Sequence, residues 1–197
     1  QRDLARRDRL GLFGGAPGMT EAAAPSLWEV TRRVGALYGE ASRFSRNFVR
    51  GKLLTDPATP AVLRLAASRG GFGAVADLGC GRGQVGLALL TAGLAERVQG
   101  LDLDPVKIRD ARAAARGLPA RFDVADLGAA PVPDCDTVMI FDVLLQMPEA
   151  PQRALLTRMA AAARRRVVIR AFDPARGWRA RLGAVTEDWA RVIRRDG

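Results

Sequence analysis

The stretch 74-AVADLGCGRGQVGLALL-90 decides how this chain folds. Residues Ala74–Leu78 read as a short buried strand, the next five as a turn, and the residues from Gln84 as the start of an apolar helix. Glycines at alternate positions, Gly79, Gly81 and Gly83, follow Asp77 at the strand tip. A side chain there would block the backbone from a ligand or force a strained turn, whereas glycine permits both the turn and the approach. The helix that follows aims its free N–H groups and the positive end of its dipole at the mouth of the turn. A unit of this kind holds a nucleotide-like ligand against the strand end.

Around that unit, 197 residues suffice for one domain that buries roughly 70% of its unfolded surface. Hydrophobic content of 48% and charged content of 26% are ordinary for a globular protein. The net charge of +10 raises the question of a nucleic-acid partner, yet Lys52 and Lys107 are the sole lysines. Arginine and alanine are spread along the whole chain, as a G- and C-rich codon bias would spread them. The basic clusters Arg164–Arg166 and Arg194-Arg195 are short. With no aromatic platform or binding motif beside the charge, a nucleic-acid partner is not expected. There is no histidine, and Cys80 and Cys135 form no C-x-x-C pair. Neither a metal site nor a disulfide framework is therefore expected. No apolar run has the length of a membrane span and no signal peptide is evident, so a cytoplasmic location is the expectation.

Residues 1–18 are charged, then rich in glycine and proline, and read as a leader, a linker or a frayed terminus. Met19 reads as a start, with residues 19–73 forming an N-terminal helical cap. Ser26 and Glu29 form a capping box, and Leu27, Val30, Val34, Leu37 and Tyr38 form one apolar stripe. A second helical segment runs from Phe44 to Leu54. Asp56-Pro57 and Thr59-Pro60 break it, and Ala61–Ser68 forms another helix. This section either covers the ligand mouth or serves as plain helical packing against the sheet.

From residue 74 to residue 197 strands alternate with helices. Strands are predicted over 97–103, 120–124, 137–141 and 166–172, with helices over 105–116 and 148–163 and helical structure again from Asp173. The predicted fold is α/β, Rossmann-like and doubly wound, with a mainly parallel sheet and an N-terminal helical cap. In such sheets ligands sit beyond the carboxyl ends of the strands. Asp77, Asp102 with Asp104, Asp126 and Asp142 all fall there. Asp102 lies 19 residues past Gly83, the interval at which a second strand delivers an acid to a ribose. Gly81–Gly86 also matches G-x-G-x-x-G, so a dinucleotide fold must be weighed. Asp77 separates the readings. A pyrophosphate would meet its negative charge, and a cationic ligand such as S-adenosylmethionine would welcome it.

On these residues the segment from about Ala74 to Ala171 resembles the class I S-adenosylmethionine-dependent methyltransferases. VADLGCGRG is similar to that family's first motif, VQGLDLDP to its ribose motif, DVADL to its adenine segment, and DTVMIFDVLLQMP to its fourth motif. The resemblance implies that Gly79, Cys80, Gly81 and Gly83 face the cofactor and that Asp77 sits near its amino group. It places Asp102 on the ribose, Leu103 against the adenine, Asp126 and Leu127 at the adenine edge, and Phe141 near the methyl donor. Arg46, Arg50 and Lys52 are expected to face the ligand's carboxylate.

The chain departs from the family in two ways. Gln146 stands where many members have a histidine after the fourth strand, and only about 25 residues follow the fifth strand where members add two more. Either the sheet is shortened or the natural protein continues. In-line methyl transfer depends largely on positioning, and Asp142, Gln146 and Tyr38 are the candidates for further help. The acceptor is expected to be a small molecule or a carrier-bound metabolite. The alternatives are a non-catalytic S-adenosylmethionine-binding partner protein, and an NAD(P)-dependent oxidoreductase, which Asp77 and the lack of a catalytic pair disfavour.

Overall fold

The computed structural model of the protein describes residues 26–170. The readings of residues 1–18, of Met19, of Arg194-Arg195 and of everything after Arg170 lie outside them. Five strands form one sheet: β1 (Ala74–Leu78), β2 (Arg97–Asp102), β3 (Ala120–Val124), β4 (Cys135–Phe141) and β5 (Ala163–Arg170). They run parallel in the order β3-β2-β1-β4-β5. The chain builds outward from β1 through β2 to β3, then returns to the other side of β1 for β4. The carboxyl ends of β1 and β4 therefore splay apart into a crevice, the switch point at which such sheets hold ligands.

The pleat divides the core. Every residue of β1 is buried, as a central parallel strand requires. Val75 points to one face with Leu87 and Leu89 of α4 (Gln84–Thr91) and Ile108 of α5 (Pro105–Ala114). Ala74, Ala76 and Leu78 point to the other, with Leu155 and Met159 of α6 (Glu149–Ala162). Successive side chains of a strand go to opposite faces, so one strand serves both cores. No described helix is long and apolar enough to cross a membrane.

The N-terminal section forms α1 (Leu27–Leu37), α2 (Arg43–Thr55) and α3 (Ala58–Ser68). Val30, Val34, Tyr38, Val49 and Leu53 are fully buried in the same core as Val75 and Leu87, so these helices complete one face of the sheet. Each such side chain stabilises the fold by roughly 1.5–3 kcal/mol. Two local readings change. Ser26 caps α1 by accepting the Glu29 amide at 3.2 Å, but the Glu29 carboxylate pairs forward with Arg33, leaving half a capping box. Pro60 starts no new helix; it lies in the first turn of α3, where an N–H has no partner to lose.

Candidate functional site

A cavity of about 700 Å³ opens at the switch point. Its wall is assembled from strand ends that are far apart in sequence. The end of β1 contributes Asp77, Gly79, Cys80 and Gly81; the end of β2, Asp102 and Leu103; the end of β3, Asp126 and Leu127. Phe141, Asp142 and Gln146 come from β4 and the 3-10 turn Leu144–Gln146 behind it, and Lys52 reaches in from α2. Gly83 and Tyr38 are elsewhere. Gly83 has a positive φ of 76°, and a Cβ on it would meet Phe122 Cζ at 2.6 Å. Packing against the core requires glycine there. Tyr38 is buried beneath the turn, its hydroxyl donating to the Arg82 carbonyl at 2.5 Å, and it does not line the cavity.

The turn itself is held by backbone amides. Those of Gly79 and Cys80 donate to the Leu101 carbonyl at 2.7 and 3.1 Å, stitching β1 to β2. The Gly81 amide donates to Asp102 Oδ2 at 2.8 Å, while Asp102 Oδ1 accepts the Asp104 amide at 2.9 Å. Each Asp102 oxygen keeps a lone pair for a ligand hydroxyl. A Cβ on Gly79 would strike Val143 Cγ2 at 2.2 Å, so the turn and the loop after β4 pack directly on each other. A Cβ on Gly81 would find nothing nearer than Gln84 Oε1 at 3.9 Å, because that position looks into the cavity. On the far side, the Asp126 carboxylate accepts the Gly128 amide at 2.8 Å and remains exposed, with Leu127 buried beside it.

Asp77 dominates the electrostatics. It is 3% exposed, its Oδ2 is buried without a hydrogen-bond partner, and burial with the nearby Asp102 charge pushes its pKa up to about 7 against the pull of the Gly86 amide. A buried carboxylate oxygen left unpartnered is costly, and a cation in the cavity relieves it. Burial and the Asp77 and Asp102 charges also push the Cys80 thiol up, so it stays protonated. At the opposite wall Asp142 stands in the left-handed region, φ 59°, with Oδ1 buried and unpartnered and Oδ2 3.3 Å from Arg170. Burial raises its pKa, with Arg170 and Lys52 opposing. The Gln146 amide donates to the Asp142 carbonyl at 2.9 Å and braces that strained backbone. Lys52 pairs with Asp56 at 2.6 Å, and Arg170 joins Asp56 to Asp142. Burial alone would lift the Asp56 carboxyl, but bonds from Lys52, the Ala58 amide and Arg170 hold it below its ordinary value. Of the expected cations only Lys52 is here. Arg46 and Arg50 line a different groove.

These residues fit S-adenosylmethionine. The orphaned Asp77 oxygen suits an ammonium or sulfonium, the Asp102 and Asp126 carboxylates suit hydroxyls and an exocyclic amine, and the volume suits a nucleoside-sized ligand. Several lining residues carried no signal in the sequence. Val143 and Met147 lie inside the fourth-motif stretch without being singled out there, and Phe48 and Asp56 arrive only because α2 folds over the mouth.

Residues 75–166 match the family model of the methyltransferase domain. No curated protein matches the chain. Among solved structures, magnesium protoporphyrin IX methyltransferase from Synechocystis PCC 6803 with bound S-adenosylmethionine is 24% identical at a TM-score of 0.53, over 79% of this chain and 74% of its own. With bound S-adenosylhomocysteine the same enzyme is 25% identical at a TM-score of 0.50, over 72% of this chain and 65% of its own. An S-adenosylmethionine-dependent methyltransferase from Clostridium acetobutylicum ATCC 824, 15% identical at a TM-score of 0.50 over 60% of this chain and 52% of its own, shares the fold. A protein from the conversion of a disulfide bond into a thioacetal group during echinomycin biosynthesis is 37% identical at a TM-score of 0.46 over 53% of this chain, which spans 44% of that protein's length. The matched family model and the switch-point cavity agree: residues 75–166 form a methyltransferase domain similar to the class I S-adenosylmethionine-dependent methyltransferases, a domain whose cofactor is S-adenosylmethionine.

Proposed function

We propose that the chain transfers a methyl group from S-adenosylmethionine to a small-molecule or carrier-bound acceptor. One observation carries this reading: the Asp77 carboxylate, its Oδ2 buried without a hydrogen-bond partner, lines the cavity at the very strand tip where a phosphate-binding site would avoid negative charge. When bound, the cofactor supplies an activated methyl for in-line displacement.

The chain's own groups bind and align. Asp77 accepts the ammonium, and Lys52 lies within the same cavity as a cation for the carboxylate. Asp102 accepts the ribose hydroxyls with the lone pairs that the Gly81 and Asp104 amides leave open. Leu103, 69% exposed without a ligand, covers the adenine, Asp126 and Leu127 meet its edge, and Gly79, Cys80 and Gly81 form the floor. Phe141 borders the reacting centre. Asp142, with its unpartnered Oδ1 and raised pKa, takes the acceptor's proton, and Gln146 holds the Asp142 backbone in place. Residues 26–54 close part of the mouth through the Phe48 and Lys52 edge of α2 and exclude water. The Synechocystis neighbour is named for a small-molecule acceptor, which supports that class here.

Calorimetric titration with S-adenosylmethionine, S-adenosylhomocysteine and NAD tests the cofactor assignment. The first two are expected to bind and NAD is not; the reverse would sink the proposal. Methyl transfer from labelled cofactor to an identified acceptor separates an enzyme from a binding protein.

A further inference from the structure

Away from the cofactor cavity, α1 and α2 enclose a second groove of about 460 Å³. Arg32, Arg43, Arg46 and Arg50 line it, and no acidic side chain does. Among the described residues none of these four arginines has an ion pair, whereas Arg33, one position from Arg32, pairs with Glu29. Guanidinium groups stay charged at any physiological pH, so the groove gathers repelling positive charge that an anion would neutralise.

The groove is also shaped. Gly35 lies inside α1, where glycine is about 1 kcal/mol less favourable than alanine. A Cβ on it would come within 3.1 Å of Arg50 Cγ and 3.3 Å of Arg50 Cδ. The absent side chain thus leaves room for the Arg50 stem to lie across α1. The opposite flank of α2 presents Phe48 and Lys52 to the cofactor cavity. One helix therefore separates an arginine-lined groove from the reaction site, a span of about 10–12 Å.

We propose that this groove binds a phosphate ester carried by the methyl acceptor. The acceptor is then elongated: its phosphate lies among the arginines while its other end passes α2 and enters the cavity. Planar guanidinium forks match phosphate oxygens in pairs, and a concave site with four of them suits a group with more than one negative charge. The phosphate belongs either to a free coenzyme-like molecule or to an arm attached to a carrier; the chemistry recognised is the same. This inference rests on the methyltransferase reading for its acceptor and on the arginine groove alone for its anion.

The test is calorimetric titration of the whole chain at low ionic strength with inorganic pyrophosphate, beside a titration with S-adenosylhomocysteine. Saturable pyrophosphate binding is expected, weakened about tenfold or more in Arg46→Gln/Arg50→Gln through loss of charge-assisted hydrogen bonds. The same variant should bind S-adenosylhomocysteine as the parent does, which shows that it folds. Coenzyme A competing with pyrophosphate assigns the phosphate to a free molecule. Competition only by a carrier protein bearing a phosphopantetheine arm, and not by its unmodified form, assigns it to a carrier. No pyrophosphate binding, equal binding in the variant, or stronger competition by polyglutamate or a single-stranded oligonucleotide would overturn the proposal. Pyrophosphate bound at the arginines with no S-adenosylhomocysteine bound would instead overturn the cofactor reading and leave the anion site standing.

Discussion

The Tyr38 hydroxyl donates to the Arg82 carbonyl at 2.5 Å, tying the end of α1 to the middle of the glycine turn. From the other side the Arg82 guanidinium pairs with Asp110 at 3.1 Å and lies over the rings of Phe44 and Phe48, 5.8 and 5.1 Å from their centroids. The turn is thus clamped by α1, α2 and α5, none of which belongs to the strand-turn-helix unit. Burial, with Cys80 and Asp110 nearby, pushes the Tyr38 phenol far above its ordinary value, so it serves as a donor and not as a base. Tyr38→Phe leaves the Arg82 carbonyl without that donor and should lower unfolding stability by about 1–3 kcal/mol in denaturant titration. The pH dependence of turnover should not move.

The pH dependence of stability follows from Asp77. Its folded pKa is raised from 3.8 to about 7, so the folded state without cofactor holds a proton that the unfolded chain has released. The favourable contribution is complete below about pH 4 and is lost as pH rises through about 7. With a tenfold change in proton affinity worth about 1.4 kcal/mol, the loss is on the order of 4 kcal/mol. Asp77→Asn should therefore stabilise the cofactor-free protein at pH 8 and change little at pH 4, measured by thermal melts. S-adenosylhomocysteine affinity of the parent should strengthen between about pH 6 and 8, as the carboxylate ionises to receive the ammonium, and Asp77→Asn should abolish that strengthening. Identical pH profiles in the two proteins would contradict the assignment.

Asp102 is expected to matter twice. Asp102→Ala removes the proposed ribose acceptor and should weaken S-adenosylhomocysteine binding by roughly 1.5–3 kcal/mol in calorimetry. It also frees the Gly81 and Asp104 amides, so a smaller loss of stability should accompany it, where a ligand contact alone would leave the melting temperature unchanged.

Substitutions at two glycines should part company. Gly83→Ala drives a Cβ to 2.6 Å from Phe122 in the core, and unfolding stability should fall by several kcal/mol, in the range of overpacked and strained sites. Gly81→Ala meets open space and carries only the strain of its φ of 57°, about 1–2 kcal/mol. Its main effect should be on cofactor affinity, because the new methyl enters the cavity.

Hydrogen exchange over residues 26–54 should slow when S-adenosylhomocysteine binds, most in α2, whose Phe48 and Lys52 line the mouth. Equal exchange with binding confirmed would leave these helices as scaffold.

The strand, the glycine turn and the spaced acids were legible in the sequence because they rest on local rules. Alternation of apolar strands and helices implies a parallel sheet, and Asp77, Asp102 and Asp126 fall at strand ends wherever the strands lie. Which side of a residue faces the ligand was not legible. Gly81 and Gly83 look alike in the chain, but one opens on the cavity and the other on Phe122, since the backbone turns between them and Phe122 comes from a strand 39 residues on. Likewise Lys52 and Arg46 share a helix, and only its packing against α1 sends Lys52 to the cavity at the switch point and Arg46 to a separate groove. Tyr38 read as a polar side chain free to act, yet its hydroxyl is consumed by a carbonyl 44 positions away. Sequence spacing determines which residues an element carries; the contacts that bury, pair or expose them come from elements distant in the chain, and only the folded arrangement decides those.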